Sequence, residues 1–244
     1  MNAIRIPIDS AVLGGNVVAI DEVSRNEDFA AFERRVIETF HPVYASCKLP
    51  IDQLDDIHLL EKNGFELIEC QIRSAIDLRL PLEMRRSPYR FERVTTRSEL
   101  DSVLEIAATT FVHDRFSVDP KIERGISGER YRRYVEQSFA SKDEDVYRLF
   151  DPASGATVAF KTHRRLPNGE ALLLLGGVQP QLQRLGLGVF NTYCELNQLR
   201  NLGVRRAITH ISAGNYHVFN VEIGKVGFRV LTTYAVLRKV YSAS

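Results

Sequence analysis

The 244-residue chain has no tryptophan, two methionines and three cysteines, and each shortage narrows what it can be. Cys47, Cys70 and Cys194 are far apart, odd in number and without a C-x-x-C pair. Neither a disulfide framework nor a zinc site is expected, and all three read as buried thiols. A charge of one sign is also missing, since 32 basic against 31 acidic residues leave a net +1. No overall field draws the chain to nucleic acid or to an anionic membrane, so any anion must be bound locally. No segment approaches the roughly 18 apolar residues of a membrane span, and low-complexity tracts are absent. The reading is a soluble cytoplasmic protein without metal, nucleic-acid or membrane partner, whose 44% hydrophobic content is ample for a buried core. A homodimer is compatible with this composition.

What is present begins with periodicity. Asp28 to Phe40 and Asp52 to Asn63 carry apolar residues at helical spacing, the second stopping at Gly64, and Phe65 to Ile72 then alternates as a half-buried strand does. The stretch LPLEMRRSPY, with two prolines and a basic cluster, reads as a connection and places a boundary near Pro88. Beyond it the pattern predicts a strand at Arg90 to Val94, a helix from Ser98 to Phe111 capped by Thr95 or Thr96, a polar loop, and a helix over Gly128 to Phe139. Three apolar runs separated by turn signals, Val146 to Phe150, Thr157 to Thr162 and Ala171 to Val178, predict an antiparallel meander. A β-α-β-α-β tail follows, with helices at Gly188 to Leu202 and Asn215 to Val226 and strands at Arg206 to Ile211 and Phe228 to Val240. One echo stands out, because Leu60-Glu-Lys-Asn-Gly64-Phe65 matches Ile223-Gly-Lys-Val-Gly227-Phe228 in type and order. It reads either as a repeated folding unit or as a common helix-Gly-Phe-strand junction.

The chemistry concentrates in Leu172-Leu-Leu-Leu-Gly-Gly177-Val178-Gln-Pro-Gln-Leu-Gln183-Arg184-Leu185-Gly186-Leu187-Gly188, an apolar strand, a Gly-rich turn and a helix start. A diphosphate needs converging N–H donors, which a helix N-terminus offers together with the positive end of its dipole. The string Q-x-x-G-x-G is neither the dinucleotide pattern nor a P-loop, which needs Lys followed by Ser or Thr. It resembles the acyl-CoA-binding motif of the GNAT acetyltransferases. Asn215 resembles the residue opening the next GNAT helix, and Gly227-Phe228 its usual ending.

This resemblance implies an α/β (α+β) GNAT fold over residues 89–244, with a mixed, mostly antiparallel central sheet flanked by helices. Residues 1–88 would form a smaller α/β unit similar to a truncated GNAT half. The cosubstrate implied is acetyl-CoA or another acyl-CoA, its pyrophosphate held by amides of Gln183, Arg184, Leu185, Gly186, Leu187 and Gly188. Pantetheine would pair with the strand ending at Gly177 and Val178, where that strand splays from its neighbour, and Asn215 would help place it. The partner implied is a small-molecule amine. More narrowly, a small unit ahead of such a domain resembles the dTDP-4-amino-6-deoxysugar (fucosamine) N-acetyltransferases, whose acceptor loop is similar to Phe111–Pro120. There Arg115 would bind phosphate beside His113 and Asp114; equally, Asp114 and Arg115 would pair internally while His113 caps a helix.

Direct attack of a neutral amine on a thioester needs a polarised carbonyl and a proton for the thiolate, and no covalent enzyme intermediate. Where GNAT enzymes usually carry a proton-donating Tyr, seven residues after the helix-opening Asn, this chain has Glu222; counting back from Gly227-Phe228 instead places Ile223 there, because the segment is one residue longer than usual. The catalytic candidates are Glu222, Tyr216 and Tyr234, with His163 and His210 as further titratable groups. Glu222 reads as a solvated helix residue or, if buried, as an acid with a raised pKa. The expected activity is N-acylation of a small amine, best represented by a nucleotide-linked amino sugar. The alternatives are another amine or amino-acid derivative, or a non-catalytic acyl-CoA-binding module.

Overall fold

The computed structural model describes residues 1–24, 26–84, 87–183 and 185–241. In chain order the strands are β1 (Asn2–Arg5), β2 (Asn16–Glu22), β3 (Pro42–Pro50), β4 (Glu66–Asp77), β5 (Arg90–Arg93), β6 (Glu144–Phe150), β7 (Thr157–Leu166), β8 (Glu170–Val178), β9 (Arg206–Ser212) and β10 (Arg229–Val240). The helices are α1 (Pro7–Leu13), α2 (Phe29–Phe40), α3 (Leu54–Lys62), α4 (Arg97–Thr110), α5 (Arg115–Val118), α6 (Ile126–Ala140), α7 (Leu187–Asn201) and α8 (Tyr216–Val221), the last continued by a π-helical turn, Glu222–Val226.

Local chemistry accounts for most boundaries. Asp28 caps α2 by accepting from the N–H groups of Ala30 and Ala31. Thr96 and Glu99 form a capping box on α4, each side chain taking the other's backbone N–H. After α3 and after the π turn, Gly64 and Gly227 take φ of +82° and +96°, and the phenylalanine that follows each is buried in the core. Three stretches escape the sequence pattern. The 111–120 loop contains the short helix α5, residues 2–22 form β1, α1 and β2, and β3 is a strand. Most of β3 is buried on both faces, so it lacks the alternation that marks a half-buried strand. Of the thiols, Cys47 and Cys194 are buried and Cys70 is only partly so.

All ten strands join one sheet in the order β1-β2-β3-β10-β4-β9-β8-β7-β6-β5. Only β2–β3 and β8–β9 are parallel. The order reads symmetrically about the central β4–β10 pair. On one side, β2, α2, β3, α3 and β4 follow one another; on the other, β8, α7, β9, α8 and β10 do. Each unit sends its last strand across to the other, β10 pairing with β3 and β4 with β9. The Gly-Phe echo therefore marks equivalent corners of two β-α-β-α-β units, with long-range register from Tyr234↔Pro50 to Val240↔Tyr44 locking them together. Helices α2, α3 and α7 cover one face through Phe32, Leu60, Leu196 and Leu199 among others, and α4 and α6 pack on the opposite face around Val103, Leu104 and Phe160.

Candidate functional site

Strands β8 and β9 pair only through Glu170↔Arg206, Ala171↔Ala207 and Leu172↔Ile208, and then part. A β-bulge at the same place helps to separate them: Leu173 faces His163 and Leu175 faces Thr162, which leaves Leu174 unmatched. An extra residue bends and twists its strand. The Leu175 N–H donates to Thr162 Oγ1 at 3.0 Å within this irregularity. Beyond it, β8 keeps its partner β7 as far as Val178, while its other edge opens into a wedge.

At the mouth of the wedge the chain turns from β8 into α7. The Gln179 N–H donates to Val158 O, its Nε2 donates to Thr157 O, and Gln183 Nε2 closes the turn on Val178 O at 3.4 Å. Gly186 takes φ of +80° at the N-terminus of α7, whose start carries no side-chain cap. Among the described residues, no acceptor takes the N–H groups of Leu187, Gly188 and Val189. Arg184 lies outside the described residues. A Cβ added at Gly186 or Gly188 would meet nothing within 4 Å. Gly186 is required by its backbone, whereas Gly188 is neither at positive φ nor crowded. Glycine inside a helix costs roughly 0.5–1 kcal/mol against alanine, and nothing among the described residues requires it at this position. Gly177 differs: a Cβ there would stand 2.7 Å from Phe160 Cε1 and 3.0 Å from Thr110 Oγ1, so packing alone demands glycine. Asn191 Nδ2 donates to Phe160 O at 3.0 Å and ties the first turns of α7 to the sheet.

Asn215 opens α8, its Oδ1 accepting from the Val218 N–H at 3.2 Å. The additional residue of this segment is absorbed by the π turn, where both Gly227 and Phe228 donate to Glu222 O. Glu222 is thereby turned inward and is 6% exposed. Burial pushes its carboxyl up to about 7, an effect opposed by Lys161 and reinforced by Glu195. Glu195, fully buried, has Oε1 at 3.3 Å from His163 Nδ1 and Oε2 at 3.4 Å from Lys161 Nζ. The Lys161 stem lies against Gly176 in the parted half of β8, so this cluster stands beside the wedge. Glu222 Oε2, Glu195 Oε2 and His163 Nε2 have no hydrogen-bond partner among the described residues. The other two candidates lie elsewhere: Tyr216 is exposed on α8, and Tyr234 sits on the opposite face of the sheet near Lys48 and His210. Burial also raises the Cys194 thiol to about 11, which leaves it a poor nucleophile.

In the 111–120 loop the internal pairing of Asp114 with Arg115 is not formed. Asp114 caps α5, accepting from the Phe116 N–H and from Ser117 and Ser127 hydroxyls. Arg115 turns instead to Asp9, 3.6 Å away, and His113 is exposed. Lys161 and Glu195 were missed in the sequence, although a lysine in the apolar run Ala-Phe-Lys-Thr and a glutamate on the apolar side of a helix were visible there as irregularities.

No family model matches the chain, and no curated protein matches it in sequence. Its structure is similar to a GCN5-related N-acetyltransferase from Sphaerobacter thermophilus, with a TM-score of 0.69, 12% identity, and 98% of this chain and 76% of that one covered. It is also similar to a tandem GNAT protein from the clavulanic acid biosynthesis pathway, with a TM-score of 0.66, 13% identity, and 95% and 77% covered. A third neighbour is the GCN5-related glucosamine N-acetyltransferase region of a fungal multi-domain β-N-acetylglucosaminidase, with a TM-score of 0.66, 12% identity, and 92% and 30% covered. The fold is that of the GNAT N-acetyltransferases, with a mixed sheet flanked by helices.

Proposed function

We propose that the chain is an acyl-CoA-dependent N-acyltransferase that moves an acyl group, best represented by acetyl, directly onto the amine of a small molecule. The observation that carries this reading is the uncapped, open start of α7 at the point where β8 leaves β9. Its N–H groups, which no described residue accepts, and its dipole suit a diphosphate, and no described neighbour requires glycine at Gly188. The site residues are Gln183, Leu185, Gly186, Leu187 and Gly188 for the diphosphate, with Arg184 beside them, and the Gly177–Val178 end of β8 with Asn215 for pantetheine. The two-unit division near Pro88 belongs to the same reading, with residues 1–88 supplying β4 to the sheet of the acyltransferase unit.

In the reaction the amine nitrogen forms a bond to the thioester carbonyl carbon, the C–S bond breaks, and a proton reaches the departing thiolate. Glu222 suits the last step. At neutral pH a carboxyl raised to about 7 is partly protonated, where an exposed glutamate would be wholly ionised. Lys161 and Glu195 set its charge environment from the parted side of β8. For the acceptor, an amino sugar linked to a nucleotide remains our preferred class; one structural neighbour is itself described as a glucosamine N-acetyltransferase region.

The test is calorimetric titration with CoA and a thiol-release assay with acetyl-CoA across amino sugars and other amines. Saturable CoA binding at micromolar concentration with amine-dependent thiol release is the expected result. Binding without release from any amine would instead identify a non-catalytic acyl-CoA-binding module, and absence of binding would remove the site.

A further inference from the structure

The face of the sheet opposite α7 holds a second concavity of about 380 Å3, bounded by β2, β3, β10, α1 and α5 and lined by Asp9, Ser46, Lys48, Arg115, Tyr134 and Tyr234, among others. Two carboxylates, Asp9 and the exposed Asp21, line it beside the cations Lys48 and Arg115, and among the described residues neither makes an ion pair with Lys48. Asp9, fully buried, is already held by Arg130 Nε at 2.8 Å and by the Tyr134 hydroxyl at 3.3 Å, so Arg115 reaches it only with one nitrogen at 3.6 Å. Lys48 is partly buried, and its ammonium lies 4.4 Å from the ring centroid of Tyr234. Among the described residues no carboxylate makes an ion pair with Lys48 or with Arg73.

Register extends this arrangement across the sheet. Lys48 pairs with Val236, which pairs with Glu69; Tyr234 pairs with Gln71, which pairs with Ser212; and Arg73 pairs with His210. Side chains at paired positions share a face, so Lys48, Glu69, Tyr234, Arg73 and His210 form one polar strip from β3 to β9. Three strand spacings separate its ends, about 14 Å. The far end, His210 on β9, borders the strand that forms one wall of the wedge. Burial lowers the Lys48 ammonium to about 8, with Arg115 the next cause and Arg73 a smaller one. Burial lowers His210 to about 4, and Lys48 and Arg73 add to the effect. Burial also raises the Glu69 carboxyl. Glu69, the carboxylate of the strip itself, is thus pushed toward its neutral form, which leaves Asp9, held by Arg130, and the exposed Asp21 as the carboxylates of the cavity lining.

We propose that this cavity binds an anionic group of the acceptor, a phosphate or carboxylate taken by Lys48 and Arg115 and attracted by Arg73 on the strand between, while the acceptor's amine lies toward His210 and the wedge. An ammonium and a guanidinium withdrawn from water without a counter-charge are costly unless a ligand supplies one, and guanidinium matches either oxyanion bidentately. Neutral His210 then offers a ring nitrogen that accepts from the amine instead of repelling it. This inference rests on the acyltransferase reading for the role of the bound molecule, but not for the binding of an anion. It implies an acceptor whose amine and anion stand on the order of 10 Å apart, by the same strand spacing.

The intact protein would be titrated calorimetrically with inorganic phosphate, pyrophosphate and acetate, alongside Lys48→Met and, as a second variant, Arg73→Gln. Saturable binding of at least one probe, weakened tenfold or more in either variant, is expected, with the thermal midpoint of Lys48→Met no lower than that of the parent. The preferred probe separates a phosphate from a carboxylate ligand. In turnover with acetyl-CoA, amines carrying a terminal phosphate or carboxylate should outperform matched amines without one. Lys48→Met should raise the KM for the anionic acceptor and leave that for acetyl-CoA unchanged. No saturable binding of the three probes, or equal binding by parent and variants, overturns the proposal. Lys48-dependent anion binding without any thiol release keeps the anion site and removes the acyltransferase reading; turnover indifferent to the acceptor's anion and to Lys48 does the reverse.

Discussion

The two parallel β-α-β units of the sheet, β2-α2-β3 and β8-α7-β9, share a topology and differ at the start of their helices. In the first, the strands stay paired as far as Ile20↔Cys47, and the Asp28 carboxylate takes the first N–H groups of α2 at 2.9 and 3.3 Å. In the second, the strands part after Leu172↔Ile208 and the start of α7 is glycine, uncapped and open. A carboxylate at a helix N-terminus both consumes the donors and repels an anion. The same fold is therefore closed to a diphosphate at one end and open to it at the other, and a handful of loop residues decides which. A similar contrast holds one helix later. Counting by the Gly-Phe corners, Leu59 stands where Glu222 does; Leu59 packs against the core of its unit, and Glu222 carries a titratable carboxyl into the other.

Making the second unit like the first is the most severe way to break this comparison. Gly186→Asp places a carboxylate, as at Asp28, on a backbone with φ of +80°. CoA affinity should fall by about a hundredfold or more, combining like-charge repulsion with local strain; an unchanged calorimetric Kd would remove the site.

Glu222→Gln sharpens the contrast with Leu59. The folded-state pKa of Glu222, about 7, lies above its unfolded value near 4.5, so its stabilising contribution is full below pH 4.5 and is lost as pH rises through 7. The variant should gain on the parent between pH 5 and pH 8, by about 1–3 kcal/mol in urea unfolding. If the carboxyl donates the proton, the decline in kcat above pH 7 should also vanish, with kcat at pH 6.5 lowered on the order of tenfold. A stability difference independent of pH would show that Glu222 titrates as an exposed residue does.

Gly188→Ala gives a smaller effect with opposing signs. Because a Cβ there meets nothing, stability should rise by roughly 0.5–1 kcal/mol, whereas CoA affinity should drop about tenfold if the diphosphate comes close. Gains in both would mean that no ligand approaches. The mildest test lies in the first unit: Asp28→Ala should cost about 1 kcal/mol in thermal or urea unfolding through the lost cap and leave CoA affinity within twofold.

Much of this architecture is legible along the chain. The meander, the Gly-rich turn and the tail follow from periodicity and turn residues, because each is a local event, and Gly64-Phe65 with Gly227-Phe228 offered the repeated corner as one of two readings. β3 and the β1-α1-β2 entry were not legible, the former because a strand buried on both faces shows no alternation. At the site, Gln183 to Gly188 was visible as a motif, while the partners of Arg115 and the inward turn of Glu222 were not. Asp9 lies more than a hundred residues before Arg130, and Glu222 is directed by a π turn that no propensity records.

Sequence alone determined the order of helices and strands outside β1, α1, β2, β3 and α5, the glycines of the α7 turn, and the chemical type of ligand a helix start of that kind suits. Tertiary structure decided that β4 and β10 change places between the units, that Lys48, Arg73 and Arg115 gather on one face, and that Glu222 is buried beside Lys161 and Glu195. The division has a physical cause. Caps, turns and amphipathic periods arise from residues within a few positions of one another, whereas charge convergence and burial depend on strands paired across more than 160 residues, as in Arg238↔Glu66 and Ala235↔Cys70.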